Sequence, residues 1–236
     1  MSEWAAKRFW KATAAVETEG GYKIELDGRP VKTPAKTLLV VPSADMAAAV
    51  AAEWDAQHDL IDPLSMPVTR GANAAIDKVA TQRDEVIEML AAYGDTDLLC
   101  YRAVGPEELI ARQVAAWDPL LAWATQTYGV TMKTGEGVMH IAQDPRNLVR
   151  FTAQLHQMSA FQIAASHDLI SLSGSLVIAL AVIEKQLTAE QGWAASRVDE
   201  EWQFEKWGED EDARALESIK RQSFYDAATF HEMCVT

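Results

Sequence analysis

The strand-forming and helix-forming segments of this sequence are almost completely separated along the chain. Two segments rich in strand-forming residues flank Gly20–Gly21, and a second turn signal at Asp27–Gly28 leads to another strand-like stretch. From Ser43 onward the chain consists mainly of helix-forming residues. Strands followed by helices favour an α+β fold with segregated parts. We therefore expect a small β-rich α+β domain at residues 1–84 and a larger all-α helical bundle at residues 85–236.

Several helix boundaries are predicted by local sequence. Ser43 has the side chain of an N-cap residue, and Thr188 with Gln191 has the spacing of a capping box. Gly208 predicts the end of the helix that Thr188 begins, so we expect one continuous helix between them. Pro119 lacks the backbone N–H that a helix interior needs, and the helical segment around it is therefore expected to kink or restart.

The chain carries a formal net charge of −14 at pH 7. A surface this acidic repels the phosphate backbone of nucleic acids and favours a basic partner. The two cysteines, Cys100 and Cys234, lie in no CxxC or Cys/His motif, so we expect a reduced protein. The longest apolar run, residues 176–183, is too short to span a bilayer, and the N-terminus has no apolar signal region. We therefore expect a cytoplasmic protein that binds neither nucleic acid nor membrane.

The sequence contains none of the common catalytic or nucleotide-binding motifs. It has no HExxH zinc motif, no GxSxG nucleophile motif and no glycine-rich phosphate loop. We therefore expect no metal, no cofactor and no small-molecule substrate. The alternative is a hydrolase or transferase of unknown substrate that uses carboxylates with a histidine. It predicts a deep pocket in which His167 lies within hydrogen-bond distance of Asp168 or Glu201.

The segment 188–208 combines acidic residues with large aromatic side chains. Projected as one helix at about 100° per residue, it has two apolar stripes on opposite sides. A seam between the stripes is lined by Glu190, Glu201, Glu205 and, close by, Arg197. In one interpretation the helix is packed between two others with its acids in solvent. In the other, the acidic seam is an outward docking rim held in place by tryptophans such as Trp207.

The order of several unusual segments is more specific than any single motif. The chain runs from KRFWK through LDGRPVKTPAKTLLVVPS, EWDAQ, MPVTRGANAAID, DLLCYRA and QVAAWDPLLAWA to AEQGWAASRVDEEWQFEKWGEDEDA. Over almost the whole chain, this order resembles the ATP synthase assembly chaperones that bind the α subunit of the catalytic head. The residues that match the family pattern are Asp27, Gly28, Arg29, Pro30, Thr33, Pro34, Glu53, Trp54, Gln57, Met66, Pro67, Thr69, Trp117, Asp118, Pro119, Glu190, Glu201, Gln203, Trp207 and Gly208.

The resemblance implies a small N-terminal α+β domain, an all-α domain and no enzymatic activity. It implies a partner, the unassembled α subunit of an F-type ATP synthase, whose exposed apolar surface the chaperone covers until the β subunit replaces it. We find no mitochondrial presequence, so a bacterial cytoplasmic protein is expected. A chaperone that covers a single subunit does not need to form a symmetric oligomer, so we expect a monomer. The expected partner-binding residues are Glu190, Glu201, Glu205, Arg197 and Trp207.

Overall fold

The computed structural model describes residues 7–234, which form two compact units. The first unit contains the described residues up to Arg83, together with Ala160–Ala165 and the chain from Thr229 onward. The second unit contains Asp84–Ser159 and Ser166–Ala228. The domain limits 1–84 and 85–236 stay a prediction, because compactness alone does not establish which parts of a chain fold independently.

The first unit is built on a four-stranded antiparallel sheet. Its strands are β1 (Thr13–Thr18), β2 (Gly21–Leu26), β3 (Arg29–Pro30) and β4 (Val40–Val41). Strand β2 is central and pairs with each of the other three. Both predicted turns are confirmed: Glu19–Gly20 joins β1 to β2, whose first residue is Gly21, and Asp27–Gly28 joins β2 to β3 with positive φ at both residues. A side chain at Gly21 would collide with the carbonyl of Val41 in β4, so the start of β2 requires glycine.

Helix α1 (Ala44–Asp55) covers this sheet. Its N-cap is Ser43, as predicted, because the side-chain oxygen accepts a hydrogen bond from the Met46 N–H at 3.1 Å. Met46 and Val50, one helical turn apart, are fully buried. Each such side chain contributes about 1.5–3 kcal/mol through burial. The core of the unit consists of Trp10, Ile24, Leu26, Val31, Leu39, Val41, Met46, Ala47, Val50, Ala72, Ala165 and Phe230.

The remaining helices of the first unit follow a proline-rich break. A 3-10 turn at Pro63–Ser65 precedes α2 (Pro67–Ala74), which continues into a π-helical turn at Ala75–Val79. Gly71 of α2 faces the ring of Phe230, and an added Cβ would lie 2.8 Å from that ring. Helix α2 therefore packs closely on the C-terminal segment that belongs to this unit.

The second unit is mainly helical. Two short strands, β5 (Tyr101–Arg102) and β6 (Gly135–Glu136), pair in parallel, and β6 lies in the loop that follows α4. Helices α6 and α10 also have residues in the first unit. The helices from Arg83 onward are α3 (Arg83–Ala91), α4 (Glu107–Tyr128), α5 (Pro145–His156), α6 (Ala160–Ser173), α7 (Leu176–Ile183), α8 (Ala189–Ser196), α9 (Val198–Trp207) and α10 (Glu211–Met233), with 3-10 turns at Ala92–Asp95 and Leu98–Cys100.

Helix α7 is the most apolar helix, and a buried carboxylate fixes its start. Asp97 is fully buried. One carboxylate oxygen accepts from the Leu99 N–H at 3.0 Å and the other from the Val177 N–H at 3.1 Å. Burial raises the pKa of Asp97 from 3.8 to about 6. Asp97 thereby joins the first turn of α7 to the 3-10 turn at Leu98–Cys100.

The prediction that the helix restarts at Pro119 was wrong, because α4 runs without a break from Glu107 to Tyr128. Trp117 on this helix is buried, and its indole N–H donates to the carbonyl of Ala195 at 2.7 Å. Leu120 and Ala124 are also buried on the same helix. Tertiary packing on both sides of the proline therefore outweighs the loss of one backbone hydrogen bond.

The predicted α+β fold is confirmed, with a small sheet in the N-terminal part and a larger helical part after it. Within residues 7–234, no helix has both the length and the apolar character needed to cross a bilayer.

Candidate functional site

The segment between Thr188 and Gly208 is two helices and not one, so the predicted continuous helix was wrong. The predicted capping box at Thr188 and Gln191 is present and starts α8. The predicted stop is also confirmed, because α9 ends before Gly208, which has a φ of 87°. Between the two helices, Arg197 leaves helical geometry with a φ of −115° and a ψ of 14°. A single helical projection across Arg197 therefore does not describe which residues share a face.

The break at Arg197 is held by contacts of its own side chain. Its guanidinium lies 4.8 Å from the centroid of the Trp193 ring. It also donates to the carbonyl of Leu172 at 3.1 Å and pairs with Glu200 at 2.8 Å. The arginine is thus fixed between α8, α9 and the end of α6. Arg197 is an anchor for the junction of the two helices.

Glu201 is engaged by an arginine of the next helix. Arg214 on α10 donates to both carboxylate oxygens of Glu201, at 2.6 and 3.1 Å. The same guanidinium reaches Glu209 at 2.7 Å and lies 4.2 Å from the ring of Phe204. These hydrogen bonds raise the pKa of Arg214. Glu201 therefore contributes to the connection between α9 and α10.

Glu205 belongs to a chain of exposed ion pairs that links α4 with α9. Arg112 on α4 lies 2.9 and 2.8 Å from the two oxygens of Glu205. Lys206 on α9 lies 2.8 Å from Glu108 on α4. The hydrogen bond from Arg112 lowers the pKa of Glu205, and that from Lys206 lowers the pKa of Glu108. The acids on this side of α9 are thus matched by cations.

Glu190 and Trp207 are exposed, as Glu205 is, but among the described residues no ion pair engages either side chain. Glu190 is exposed in the first turn of α8, and within residues 7–234 its carboxylate has no hydrogen bond or ion pair. Trp207 is 74% exposed at the end of α9, whereas Trp202 on the same helix is buried. The two rings meet edge to face with centroids 5.6 Å apart. Trp207 is therefore an exposed aromatic side chain on a fixed support.

Sequence reasoning missed the basic residues that face the predicted acids. Arg112 is 93 residues away from Glu205 in the chain, and Arg214 is 13 away from Glu201. The ion pairs of Glu108 with Arg112 and of Arg197 with Glu200 have the i,i+4 and i,i+3 spacings that a sequence can reveal. The docking rim predicted from the sequence thus contains two free side chains, two ion-paired carboxylates and one anchoring arginine.

Several residues that match the family pattern bind backbone groups of the first unit. Glu53 on α1 accepts from the N–H groups of Val68 and Thr69, at 2.7 and 2.8 Å, and so caps α2. Asp27 accepts from the Ala12 N–H at 2.9 Å, and buried Gln57 accepts from the Asp62 N–H at 2.7 Å. These hydrogen bonds hold turns and helix ends. They therefore give these motif residues a structural explanation.

The histidine of the hydrolase alternative lies on the surface of α6. His167 Nδ1 is 2.9 Å from Asp168, and both side chains are about half exposed. The carboxylate of Glu201 is engaged by Arg214. In the part of the chain that the structure describes, no group of three or more His, Cys, Asp or Glu side chains is placed to hold a metal ion. His167 and Asp168 are thus within hydrogen-bond distance, as the alternative predicts, but they lie on an exposed surface of α6 and not in a deep pocket.

A family model and a curated relative both match this chain to Atp12 proteins. A family model described as ATP12 chaperone protein matches residues 7–125. Protein atp12, mitochondrial, from Schizosaccharomyces pombe is 26% identical over 97% of this chain and 83% of its own length.

Solved structures match along nearly the full length. The crystal structure of Atp12 from Paracoccus denitrificans is 42% identical, covers 97% of this chain and 98% of its own, and gives a TM-score of 0.93. An aspartate-to-lysine mutant of P. denitrificans Atp12p, also 42% identical, covers 99% of this chain and 100% of its own with a TM-score of 0.94. The chain therefore belongs to the ATP12 chaperone family, the family of ATP synthase assembly chaperones that the order of its segments resembles.

Proposed function

We propose that this protein binds the unassembled α subunit of an F-type ATP synthase and prevents its aggregation until the β subunit takes its place. The observation that carries the proposal is membership of the ATP12 chaperone family, together with structural likeness over nearly the whole chain. The proposed site of action is the bacterial cytoplasm, because two of the matching structures come from Paracoccus. We further propose that the protein acts as a monomer.

The proposed role needs binding and release, and no catalytic group. An unassembled subunit exposes apolar surface that its neighbours would later cover, and such surface aggregates. A chaperone whose contacts are partly electrostatic can associate quickly at moderate affinity. Displacement by the β subunit then requires only competition for the same surface. A net charge of −14 favours a client with a basic contact region.

We place the client contact on α8 and α9, with Glu190, Glu201, Glu205, Arg197 and Trp207. Glu190 and Trp207 offer free side chains for direct contact. Glu201 and Glu205 add negative charge while their arginine partners hold α9 in position. Arg197 sets the angle between the two helices through Trp193 and Leu172.

The test is capture of the α subunit from a native extract, followed by identification of the bound protein. The wild-type protein should recover the α subunit, and Glu190→Lys should lose it, because the change places a positive charge at an exposed contact. The matched control is Glu88→Lys on α3, another exposed and unpaired glutamate among the described residues. It should capture the client normally.

Helical circular dichroism and the melting temperature separate loss of contact from loss of fold. Both variants should match the wild type in these two measurements, since the replaced side chains are exposed. Failure of the wild-type protein to recover any α subunit would contradict the proposed function. Equal capture by Glu190→Lys would contradict the proposed contact surface and leave the client assignment intact.

A further inference from the structure

Three strongly exposed apolar residues of the second unit lie on two neighbouring segments. Val138 is 94% exposed, Met139 80% and Val104 75%. Val138 and Met139 follow β6, and Val104 follows β5, the strand that pairs with β6. A Cβ added to Gly137 would lie 4.0 Å from Cγ1 of Val104, which shows that the two segments are neighbours. We call these three residues the Val138 patch.

The backbone beneath the Val138 patch is held from two sides. The N–H of Gly137 donates to the carbonyl of Arg102 at 2.8 Å, and the side chain of Arg102 pairs with Asp118 at 2.8 Å. On the other side, buried Gln143 accepts from the Lys133 N–H at 2.8 Å and donates to the Lys133 carbonyl at 2.9 Å. A partner that binds a loop fixed in this way pays little ordering entropy.

Two acidic side chains close to the patch in the chain have no cationic partner among the described residues. Glu136 in β6 and Glu107 at the start of α4 are exposed, and neither carboxylate has a hydrogen bond or ion pair within residues 7–234. Of the nearby cations, Arg102 is paired with Asp118, whereas the Lys133 ammonium donates to the neutral Ala142 carbonyl at 3.2 Å and keeps its charge. The patch is therefore an apolar centre with an acidic edge.

We propose that the Val138 patch is a second contact site for the client and binds an apolar client segment flanked by lysine or arginine residues. The inference rests on the proposed function and adds a surface and a chemistry to it. A contiguous exposed apolar surface with a polar rim is typical of an interaction site. A second copy of this chain fits less well, because a two-fold interface would bring the unpaired carboxylates of both copies together.

The experiment measures the Kd of purified α subunit for three variants. Val138→Lys removes the apolar contact and adds a charge repelled by the client, so the Kd should rise roughly tenfold or more. Val138→Glu removes the same apolar contact but adds a negative charge, which the basic residues of the client attract. It should therefore weaken binding less than Val138→Lys does. Val149→Lys on α5 is the matched control, since Val149 is 69% exposed in the same unit. It should bind as the wild type does.

A photo-crosslinking residue at position 138 provides a second measurement that does not depend on a charge change. It should crosslink to the α subunit, whereas the same residue at position 149 should not. Wild-type affinity of Val138→Lys, or absence of the crosslink, would overturn the inference. Loss of self-association in Val138→Lys with client binding intact would also overturn it, because the patch would then cover a second copy.

The two proposals fail in different ways. If the wild-type protein does not bind the α subunit, the proposed function fails and the client assignment of the patch fails with it. If the wild type binds and Glu190→Lys weakens binding while Val138→Lys does not, only the second contact site is overturned.

Discussion

Carboxylates play opposite parts in the first unit and on helices α8 and α9. In the first unit, Glu53 and Asp27 point at backbone N–H groups and hold a helix start and a turn. On α8 and α9, Glu201 and Glu205 meet arginines and Glu190 faces solvent. A carboxylate bound to backbone groups cannot be removed without leaving them unpaired, whereas one that faces solvent or forms only an exposed ion pair can change at little cost. The comparison separates residues that make the fold from residues available for binding.

This difference changes how the matched segments of the sequence are interpreted. Gln57 and Glu53 lie in EWDAQ, and their side chains organise the loop and helix that follow. Thr33 in LDGRPVKTP donates to Asp77 at 2.6 Å and ties its loop to the π-helical turn. Many of the segments that identify the family thus maintain structure. Resemblance of motifs is therefore strong evidence for the fold and weaker evidence for the contact surface.

The largest expected effect concerns Asp97, the most buried of the carboxylates that bind backbone. Its pKa of about 6 in the folded protein exceeds its ordinary 3.8, so ionisation favours the unfolded chain. The contribution of Asp97 to stability is full below pH 3.8 and is lost as the pH rises towards 6. The loss is on the order of 3 kcal/mol. The free energy of unfolding of wild type minus that of Asp97→Asn, measured by urea titration, should fall over this pH range. A flat difference would contradict the buried, perturbed carboxylate.

Glu53→Ala is expected to have the next largest effect. The change leaves the N–H groups of Val68 and Thr69 without their acceptor, and the free energy of unfolding should fall by about 2 kcal/mol. Chemical denaturation at neutral pH measures it. Asp55→Ala, an exposed carboxylate on the same helix, is the control and should change stability much less. Similar losses in both variants would remove the distinction between the two kinds of carboxylate.

Trp207→Ala tests whether an exposed residue of α9 serves client binding and not stability. Trp207 is 74% exposed and the change removes its edge contact with Trp202, so the free energy of unfolding should change by about 1 kcal/mol or less. The Kd for the α subunit should nevertheless rise at least roughly tenfold. Trp202→Ala, one and a half turns earlier and buried, should instead destabilise the protein by about 3 kcal/mol. If Trp207→Ala binds normally, the exposed tryptophan is not a client contact.

Glu205→Gln is expected to have the smallest effect on stability. Its ion pair with Arg112 is exposed, and solvent and salt screen such a pair. The melting temperature should shift by less than about 2 °C, and any shift should disappear in 1 M salt. A large shift that persists in high salt would place Glu205 among the structural carboxylates.

Features that depend on residues close together in the chain were predictable from the sequence. The turn at Asp27–Gly28, the N-cap at Ser43 and the capping box at Thr188 are set by interactions across two to four residues, and all were confirmed. The end of α9 at Gly208 is also set by residues close together in the chain. The candidate contact residues Glu190, Glu201, Glu205, Arg197 and Trp207 stay a prediction, and their individual environments were not predictable from the sequence.

The separation of strands from helices, the turns and the caps were determined by the sequence itself, because backbone preferences and short-range hydrogen bonds act locally. Only the tertiary structure decided that α4 continues through Pro119 and that the chain breaks at Arg197. It also decided which acids have arginine partners and that Trp202 is buried while Trp207 is exposed. These outcomes depend on contacts between residues far apart in the chain, such as Arg112 with Glu205 and Arg197 with Leu172. Local sequence carries no record of such contacts, since packing energy over many atoms outweighs the propensity of any single residue.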